Sequence, residues 1–251
     1  MADRRKSESA MKTLLVTAAV ALVGSVLVAT SAVLLRPLQV ANKEADRQQH
    51  FAELIGQLPR PESVTVEARV IDLESGAYAS DLDPRRYDQR RAARDPAQRV
   101  AVPPEIDVAG LKARAPYAVV YLATEGDRLR QVILPVRGRG FGSMLFGYVA
   151  LAADANTIAG LTFYEHGETP GLGALIDAPD WKAQWRGKKV RDTGGVMRVG
   201  VGTGMVVPDG PEAPYQVDGL TGATWTGNGV TNLLHYWLGD HGFGPYLRTL
   251  R

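Results

Sequence analysis

The chain has 251 residues, of which 45% are hydrophobic, and its formal net charge is +2. This length and apolar content fit one sizeable domain with an anchor, and the near-neutral charge gives no indication of nucleic-acid binding. The sequence contains no cysteine, which excludes disulfides, cysteine nucleophiles and thiolate-held zinc or iron–sulfur centres within this chain. Any redox chemistry must therefore depend on a cofactor that needs no cysteine.

Residues 14–35 form an uncharged apolar stretch, which as a helix is long enough to cross a hydrocarbon core of roughly 30 Å. Only Arg36 follows it closely, whereas four basic residues precede it: Arg4, Arg5, Lys6 and Lys12. This asymmetry predicts a single-pass protein with a cytoplasmic N-terminus and a main domain on the opposite, non-cytoplasmic side of the membrane. A cleaved signal peptide is the alternative, and it places the main domain on the same side.

The predicted organisation has four parts. They are a cytoplasmic N-terminus (1–13), a transmembrane helix (14–35), a membrane-proximal helix or linker (36–60) and an extracytoplasmic domain (61–251). The mixed apolar and polar pattern after Pro37 indicates a helix rising from the membrane.

Strand patterns dominate the first half of the main domain. Residues 63–73 alternate and are rich in β-branched side chains, and four more candidates follow with short turns between them, at 115–124, 128–138, 144–154 and 157–167. Consecutive strands with little helix between them predict an antiparallel meander, so the fold class is α+β with flanking helices. A further strand is expected within 196–207.

An arginine-rich, proline-containing excursion interrupts the strands at residues 80–104. Its basic residues are Arg85, Arg86, Arg90, Arg91, Arg94 and Arg99. Such a run is typical of a solvated face, and the alternative is a contact with an acidic partner or anionic lipid.

Two helices are predicted in the second half. Residues 177–188 indicate a short helix with Asp180 as candidate N-cap and with Trp181 and Trp185 adjacent at i,i+4. Apolar residues at helical spacing over 230–238 indicate a second helix, with Asn228 or Thr226 as its candidate cap.

Charged residues cluster just before a glycine-rich loop at residues 166–173, HGETPGLG. The patterns fit a plain turn, a ligand-binding loop or an acid–base pair drawn from Glu165, His166 and Glu168. Because neighbouring residues at a strand end point in different directions, these three side chains are not expected to share one pocket. The glycine-rich turn at 138–142 is a weak dinucleotide fingerprint, since a strand rather than a helix follows it.

The most distinctive segment is the motif at residues 218–224, DGLTGAT, which is rich in glycine and threonine. Asp218 and Gly219 suit a turn, and Thr224 is expected at or just before a helix N-terminus. Free N–H groups and the helix dipole favour an anion there, and the small residues Gly222 and Ala223 leave the Thr224 oxygen accessible. The residues alone predict either a phosphate site or a plain capped turn.

The same segments carry a family resemblance. DGLTGAT resembles the flavinylation motif of the C-subunit family of sodium-translocating NADH:quinone reductases, and HGETPGLG with IDAPDWKAQWRGKK resembles its flavin-side loop. The segment at 236–247, YWLGDHGFGPYL, is similar to the C-terminal tail of that family. Trp225 and Gly227 depart from the family, which more often has an aliphatic residue and a serine at those positions.

The resemblance implies an FMN-binding fold with FMN joined covalently to Thr224 by a phosphoester, which a flavin transferase installs from FAD. It implies that Glu168, Thr169 and Leu172 contact the isoalloxazine and that Gly171 and Gly173 allow close approach. It also implies a recognition and phosphate region, which consists of Asp218, Thr221, Gly222 and Ala223.

The implied function is electron transfer within a multi-subunit membrane complex that oxidises NADH, reduces ubiquinone and exports Na⁺. The resemblance also implies that this single-pass protein lies in the bacterial inner membrane, with its N-terminus cytoplasmic and its main domain periplasmic. The alternatives are the equivalent flavin subunit of an Rnf-type ferredoxin:NAD electron-transport complex and a cofactor-free anchored assembly module.

Overall fold

The structure is a computed structural model that describes residues 2–58 and 60–250, with side chains from Ala10 onwards. Helix α1 runs from Ala2 to Gly56 and continues through Pro37. Its residues from Ala10 to Asp46 are exposed, and by length and composition it is apolar enough to cross a membrane. The side chains of Arg4, Arg5 and Lys6, on which the predicted orientation depends, lie outside the described residues.

The main domain is built on one antiparallel sheet. The elements after α1 are β1 (Thr65–Asp72), α2 (Gln89–Ala92), β2 (Val100–Ala101), β3 (Ala113–Arg114), β4 (Tyr117–Glu125), β5 (Arg128–Arg139), β6 (Met144–Ala152), β7 (Ile158–Glu165), α3 (Pro179–Ala183), β8 (Gly200–Val201), β9 (Gln216–Val217), α4 (Thr224–Leu238) and α5 (Gly244–Thr249). The sheet has the order β1-β4-β5-β6-β7, and every neighbouring pair is antiparallel. The predicted meander and the α+β class are confirmed.

Both faces of this sheet are covered. Alternate residues of β5 face opposite sides, so Val132 and Leu134 enter the main core with α4, whereas Ile133 enters a second cluster. That second cluster lies under the last turns of α1, where Leu54 is 1% exposed and His50 Nδ1 lies 2.8 Å from Thr162 Oγ1. Burial on both faces explains why the central strands are apolar almost throughout.

Two glycines allow α4 to approach β5 closely. A Cβ at Gly229 would lie 2.4 Å from the carbonyl oxygen of Arg139, and one at Gly138 would lie 2.8 Å from Leu233 Cβ. The predicted helical face is buried as expected: Val230, Leu233, Leu234, Trp237 and Leu238. This packing places the first turn of α4 beside the turn between β5 and β6.

The excursion at 80–104 is pinned to the sheet by Arg90. Its guanidinium lies 2.8 Å from Glu165 Oε2 and 3.7 Å from the centre of the Phe146 ring. The solvated-face interpretation is therefore wrong for Arg90, because a carboxylate and an aromatic ring hold it. The other arginines of the run are exposed, and their contact with a partner remains a prediction.

Three local predictions need correction. The strand expected within 196–207 is only the two-residue β8, which pairs in parallel with β9, and the following loop bonds to the 218–224 motif instead. Asp180 is not an N-cap, because α3 begins at Pro179 with Ala178 as its cap, and proline suits the first position of a helix. Neither Asn228 nor Thr226 caps α4, which begins at Thr224 with Ala223 as its cap.

Candidate functional site

The glycine-rich 166–173 loop and the 218–224 motif lie against each other. A Cβ at Gly222 would lie 3.0 Å from Leu172 Cδ2, and a Cβ at Gly173 would lie 2.6 Å from Thr226 Oγ1. Gly171 and Gly222 both have positive φ, 76° and 74°, so glycine suits the backbone at each position. The tertiary structure thus brings together two segments that are about 50 positions apart in the sequence.

Glu168 joins these segments to the turn between β5 and β6. Its carboxylate is buried, with the residue 5% exposed, and accepts a 2.6 Å hydrogen bond from Thr226 Oγ1. Four more donors come from the turn, namely the N–H groups of Phe141 (3.2 Å), Gly142 (3.1 Å) and Ser143 (3.2 Å) and the hydroxyl of Ser143 (3.3 Å). The carboxylate is therefore the common acceptor for the turn and for the first turn of α4.

Hydrogen bonding keeps Glu168 ionised despite its burial. Burial raises the pKa of the carboxyl, but the bonds from Thr226 and from the N–H groups of Phe141, Gly142 and Ser143 outweigh it, so the net pKa is lowered. A Cβ at Gly140 would lie 2.5 Å from Glu168 Oε1, so the turn can wrap the carboxylate only with glycine there.

The other two members of the charged cluster have separate partners. Glu165 binds Arg90, and His166 Nε2 lies 2.6 Å from Asp177 Oδ2. The bond to Asp177 raises the pKa of His166, against the opposite effect of burial. The expectation that Glu165, His166 and Glu168 do not share one pocket is confirmed, and no acid–base pair forms among them.

Thr224 is the first residue of α4 and is exposed. No side chain caps this helix start, and the N–H groups of a first helical turn have no carbonyl partner within the helix. The two residues before Thr224 are small: Ala223 is buried and Gly222 is exposed, and neither has a bulky side chain that could cover the threonine. A hydroxyl beside free N–H groups at a positive helix end suits a phosphate or a phosphoester.

The exposed surface of the 166–173 loop and the 218–224 motif is partly apolar. Thr169, Gly171 and Thr221 are exposed, and Leu172 is 43% exposed. Two aromatic side chains are also exposed: Phe141 at 64%, in the turn whose N–H groups bind Glu168, and Trp225 at 71%, directly after Thr224. Such a surface can contact a planar ligand while the hydroxyl and the helix start hold an anionic group.

Asp218 lies at the other end of the motif and bonds to the protein itself. Its Oδ1 accepts from the N–H of Val206 (2.7 Å), and its Oδ2 accepts from Gln184 Nε2 (3.1 Å). Sequence reasoning missed Gln184 and the buried role of Thr226. The Trp181–Trp185 pair was a signal that α3 is a core element, and the two rings do meet, edge to face, at 5.5 Å.

Comparisons with known proteins place these segments in one family. Residues 140–239 match the FMN-binding domain family, a range that contains every predicted site residue. The chain is 45% identical to the C subunit of the Na(+)-translocating NADH-quinone reductase of Pseudomonas aeruginosa over 97% of both chains. The chain belongs to the C-subunit family of Na(+)-translocating NADH-quinone reductases.

Other members agree in sequence and structure. The C subunit of the Vibrio anguillarum reductase is 43% identical over 98% of this chain and 96% of the relative. The crystal structure of Shewanella oneidensis NqrC matches with a TM-score of 0.68 and 36% identity over 74% of this chain and 84% of that one. The C subunit of the Parabacteroides distasonis reductase matches with a TM-score of 0.60 and 27% identity over 85% and 96%. These relatives favour the reductase subunit over both alternatives.

Proposed function

We propose that this chain is the electron-carrying flavoprotein subunit of a membrane complex that oxidises NADH, reduces ubiquinone and exports Na⁺. The observation that carries the proposal is an exposed threonine hydroxyl at an uncapped helix start, inside a matched FMN-binding domain of a member of this reductase family. The other subunits of the complex supply the ion path, since the apolar stretch at 14–35 has no charged residue.

FMN is joined to Thr224 by a phosphoester. A flavin transferase presents FAD, Thr224 Oγ forms a bond to the phosphorus of the FMN half, and the bond from that phosphorus to the bridging oxygen breaks. AMP leaves with the bridging oxygen, and the hydroxyl proton is lost to a base. No oxidation state changes in this step.

The chain's own residues then hold the group. The N–H groups at the start of α4 stabilise the phosphoester, and Gly222 and Ala223 give it room. Leu172 and Thr169 would contact the isoalloxazine, and the exposed Gly171 would let the ring come close to the backbone. Gly173 is buried against Thr226 and Glu168, so it would serve by letting the loop pack on α4. When bound, FMN supplies electron acceptance and release, while the protein fixes its position and environment.

Glu168 acts on the flavin chiefly through the loop that it holds. Its oxygens already accept five hydrogen bonds from the protein, so the carboxylate has little capacity left for a ligand. Its lowered pKa keeps the carboxylate negatively charged at neutral pH. If the bound ring lies against the 166–173 loop, this fixed charge would disfavour electron uptake and so lower the flavin potential.

Covalent attachment is tested by co-expression with a flavin transferase, followed by a denaturing gel viewed under ultraviolet light. We expect a fluorescent band in the wild type and in Thr224→Ser, which keeps a hydroxyl, and no band in Thr224→Ala. Thr193→Ala, which removes an exposed threonine from a different loop, is the matched control and keeps the band. A wild type without a band beside an active transferase would contradict the proposal.

The orientation in the membrane is the second part of the proposal, with the N-terminus cytoplasmic and the main domain periplasmic. Alkaline phosphatase fused after Arg36 is active only outside the cytoplasm, so we expect activity from this fusion. An inactive fusion that is nevertheless produced would reverse the topology.

A further inference from the structure

Asp218 is the first residue of the attachment motif and one of its most strongly bonded. Besides the bonds to its carboxylate, its backbone N–H donates to Gln184 Oε1 (2.9 Å) and its carbonyl accepts from Trp181 Nε1 (2.9 Å). Three of these four bonds therefore come from α3 or from the residue directly after it. Both carboxylate oxygens are engaged, and a carboxylate would in any case repel a phosphate.

Gln184 holds Asp218 at two points with one side chain. Its amide oxygen accepts the backbone N–H of Asp218, and its amide nitrogen donates to the Asp218 carboxylate. The pairing requires an acceptor at position 184 that faces the backbone N–H of Asp218 and a donor that faces its carboxylate. It fixes the backbone and the side chain of Asp218 together, as a bidentate clip.

The clip is carried by α3 and the residue directly after it, and α3 is packed firmly against the domain. Trp181 is 6% exposed and Trp185 is 0% exposed, and their rings pack edge to face. Lys182 on the same helix bonds to both carboxylate oxygens of Glu53, at 2.9 and 3.0 Å. Because α3 is held from two sides, the clip ties the motif to a fixed element rather than to a loop.

The chain between Asp218 and Thr224 is also fixed. The N–H of Gly219 donates to the Gly204 carbonyl (2.8 Å), and a Cβ at Gly219 would lie 2.5 Å from the Gly202 carbonyl oxygen. Leu220 is 6% exposed, and its carbonyl accepts from the N–H of Ala223 (2.9 Å). The segment that leads to Thr224 therefore begins at the position of Asp218 and is held by packing and hydrogen bonds at Gly219, Leu220 and Ala223.

We propose that Gln184, assisted by Trp181, is a positioning residue for flavin attachment, and that Asp218 serves the motif by accepting this clip. The clip sets the direction in which the Thr224 hydroxyl is offered to the phosphorus of FAD. The proposal rests on the proposed function, because it needs covalent FMN on Thr224. It assigns Asp218 an internal role in place of the recognition or phosphate contact that the family resemblance implies.

The test exchanges donor and acceptor across the clip. Gln184→Glu removes the donor and places a second carboxylate against Asp218. In Asp218→Asn, the amide oxygen can still accept from the N–H of Val206. The new NH₂ group then faces the NH₂ group of Gln184, so two donors oppose each other. The double variant restores every bond, since a carboxylate at position 184 can accept from the backbone N–H and from the new amide at position 218.

The measurement is the initial rate of covalent flavin incorporation into full-length protein, with purified transferase and FAD. We expect each single variant to lose about 10- to 100-fold in rate, the range for a small misplacement of a reacting group. The double variant should recover to within about 3-fold of wild type, since it restores the same contacts with exchanged roles. Such recovery is not expected if Asp218 is read by its charge.

Asp180→Asn is the matched control, because it changes an exposed side chain of the same helix and leaves the clip, the Lys182–Glu53 bonds and the motif unchanged. It should incorporate flavin at the wild-type rate. A double variant as slow as the single ones, a wild-type rate in Gln184→Glu, or an equal loss in Asp180→Asn would each overturn the inference. If Gln184→Glu fails to accumulate, the rates of flavin incorporation into Asp218→Asn and the double variant still test the inference: recovery in the double variant supports it, and no recovery overturns it.

The two proposals fail in different ways. If the wild type takes up no covalent flavin, the proposed function is lost. If the wild type is labelled but Gln184→Glu is labelled at the wild-type rate, or the double variant stays as slow as the single ones, only the role of Gln184 is lost.

Discussion

Thr224 and Thr226 are two positions apart in the first turn of α4, and their surroundings are opposite. Thr226 is 1% exposed and donates a 2.6 Å hydrogen bond to Glu168, whereas Thr224 is exposed at the helix start. Two positions in an α-helix are about 200° apart around the axis, so one side chain faces inward when the other faces outward. The same residue type thus has a structural role at one position and an accessible hydroxyl at the other.

The site combines a buried, hydrogen-bonded inner side with an accessible outer side. The inner side joins α4, the 166–173 loop and the β5–β6 turn through one carboxylate. The outer side leaves Thr224 and Thr221 open to another molecule. Variants on the inner side should therefore change the free energy of unfolding, and variants on the outer side should change flavin attachment.

The largest effect on stability is expected for Glu168→Gln. The glutamine amide keeps one acceptor oxygen, but its NH₂ group replaces the other oxygen and so faces N–H groups of the turn, donor against donor. We expect a loss of about 2–3 kcal/mol in the free energy of unfolding, as for hydrogen bonds to a charged group. Urea unfolding of the detergent-solubilised chain, followed by tryptophan fluorescence, measures it. A loss below about 0.5 kcal/mol would show that the inner side is not held by this carboxylate.

Thr226→Val should cost about 1–2 kcal/mol, because it keeps the shape and removes the hydrogen bond to a buried carboxylate. Thr224→Val, the matched change on the outer side, should stay within about 0.5 kcal/mol of wild type. The same urea titration compares both variants. Equal losses at the two positions would show that the inner and outer sides contribute equally to stability, contrary to the prediction.

The pH dependence of stability should follow Glu168. Its pKa in the folded protein lies below the ordinary value of 4.5, so its stabilisation is complete above that value and is lost as pH falls through the folded pKa. The stability difference between wild type and Glu168→Gln should therefore be constant at neutral pH and shrink in acid. Unfolding titrations at several pH values below neutrality check this, and a difference that grows in acid would contradict it.

Thr221→Ala should reduce flavin attachment less than Thr224→Ala. Thr221 is exposed in the motif but is proposed to assist recognition, whereas Thr224 provides the oxygen that is bonded. The ultraviolet-fluorescent band, normalised to total protein, should be weaker in Thr221→Ala and absent in Thr224→Ala. Complete loss in both variants would remove the distinction.

The smallest effect is expected for Trp225→Ala. The side chain is 71% exposed, so its removal should change the free energy of unfolding by less than about 0.5 kcal/mol. The fluorescent band should persist, because the hydroxyl and the helix start are unchanged. A loss of stability comparable to that of Thr226→Val would show that this tryptophan belongs to the inner side.

Local sequence pattern was enough to predict the five strands of the main sheet and the long apolar N-terminal helix, and it proposed the residues of the site. Alternation and β-branching predicted the meander, since burial leaves a regular pattern along a strand. The anchor followed from an uncharged stretch, and the motif at 218–224 pointed to Thr224 because its small residues and turn precede a helix. These features depend on neighbours along the chain, so they are visible without the fold.

Which side chains form hydrogen bonds across the site depends on the tertiary structure. Glu168 and Thr226 are 58 positions apart, and Gln184 and Asp218 are 34 apart, so neither pair follows from local pattern. Thr226 was a reasonable cap for α4 by composition, yet its hydroxyl turns inward because the helix begins at Thr224. Hydrogen bonds between distant segments depend on how the sheet and helices pack, and that packing is what separates the bonded residues of the site from the exposed ones.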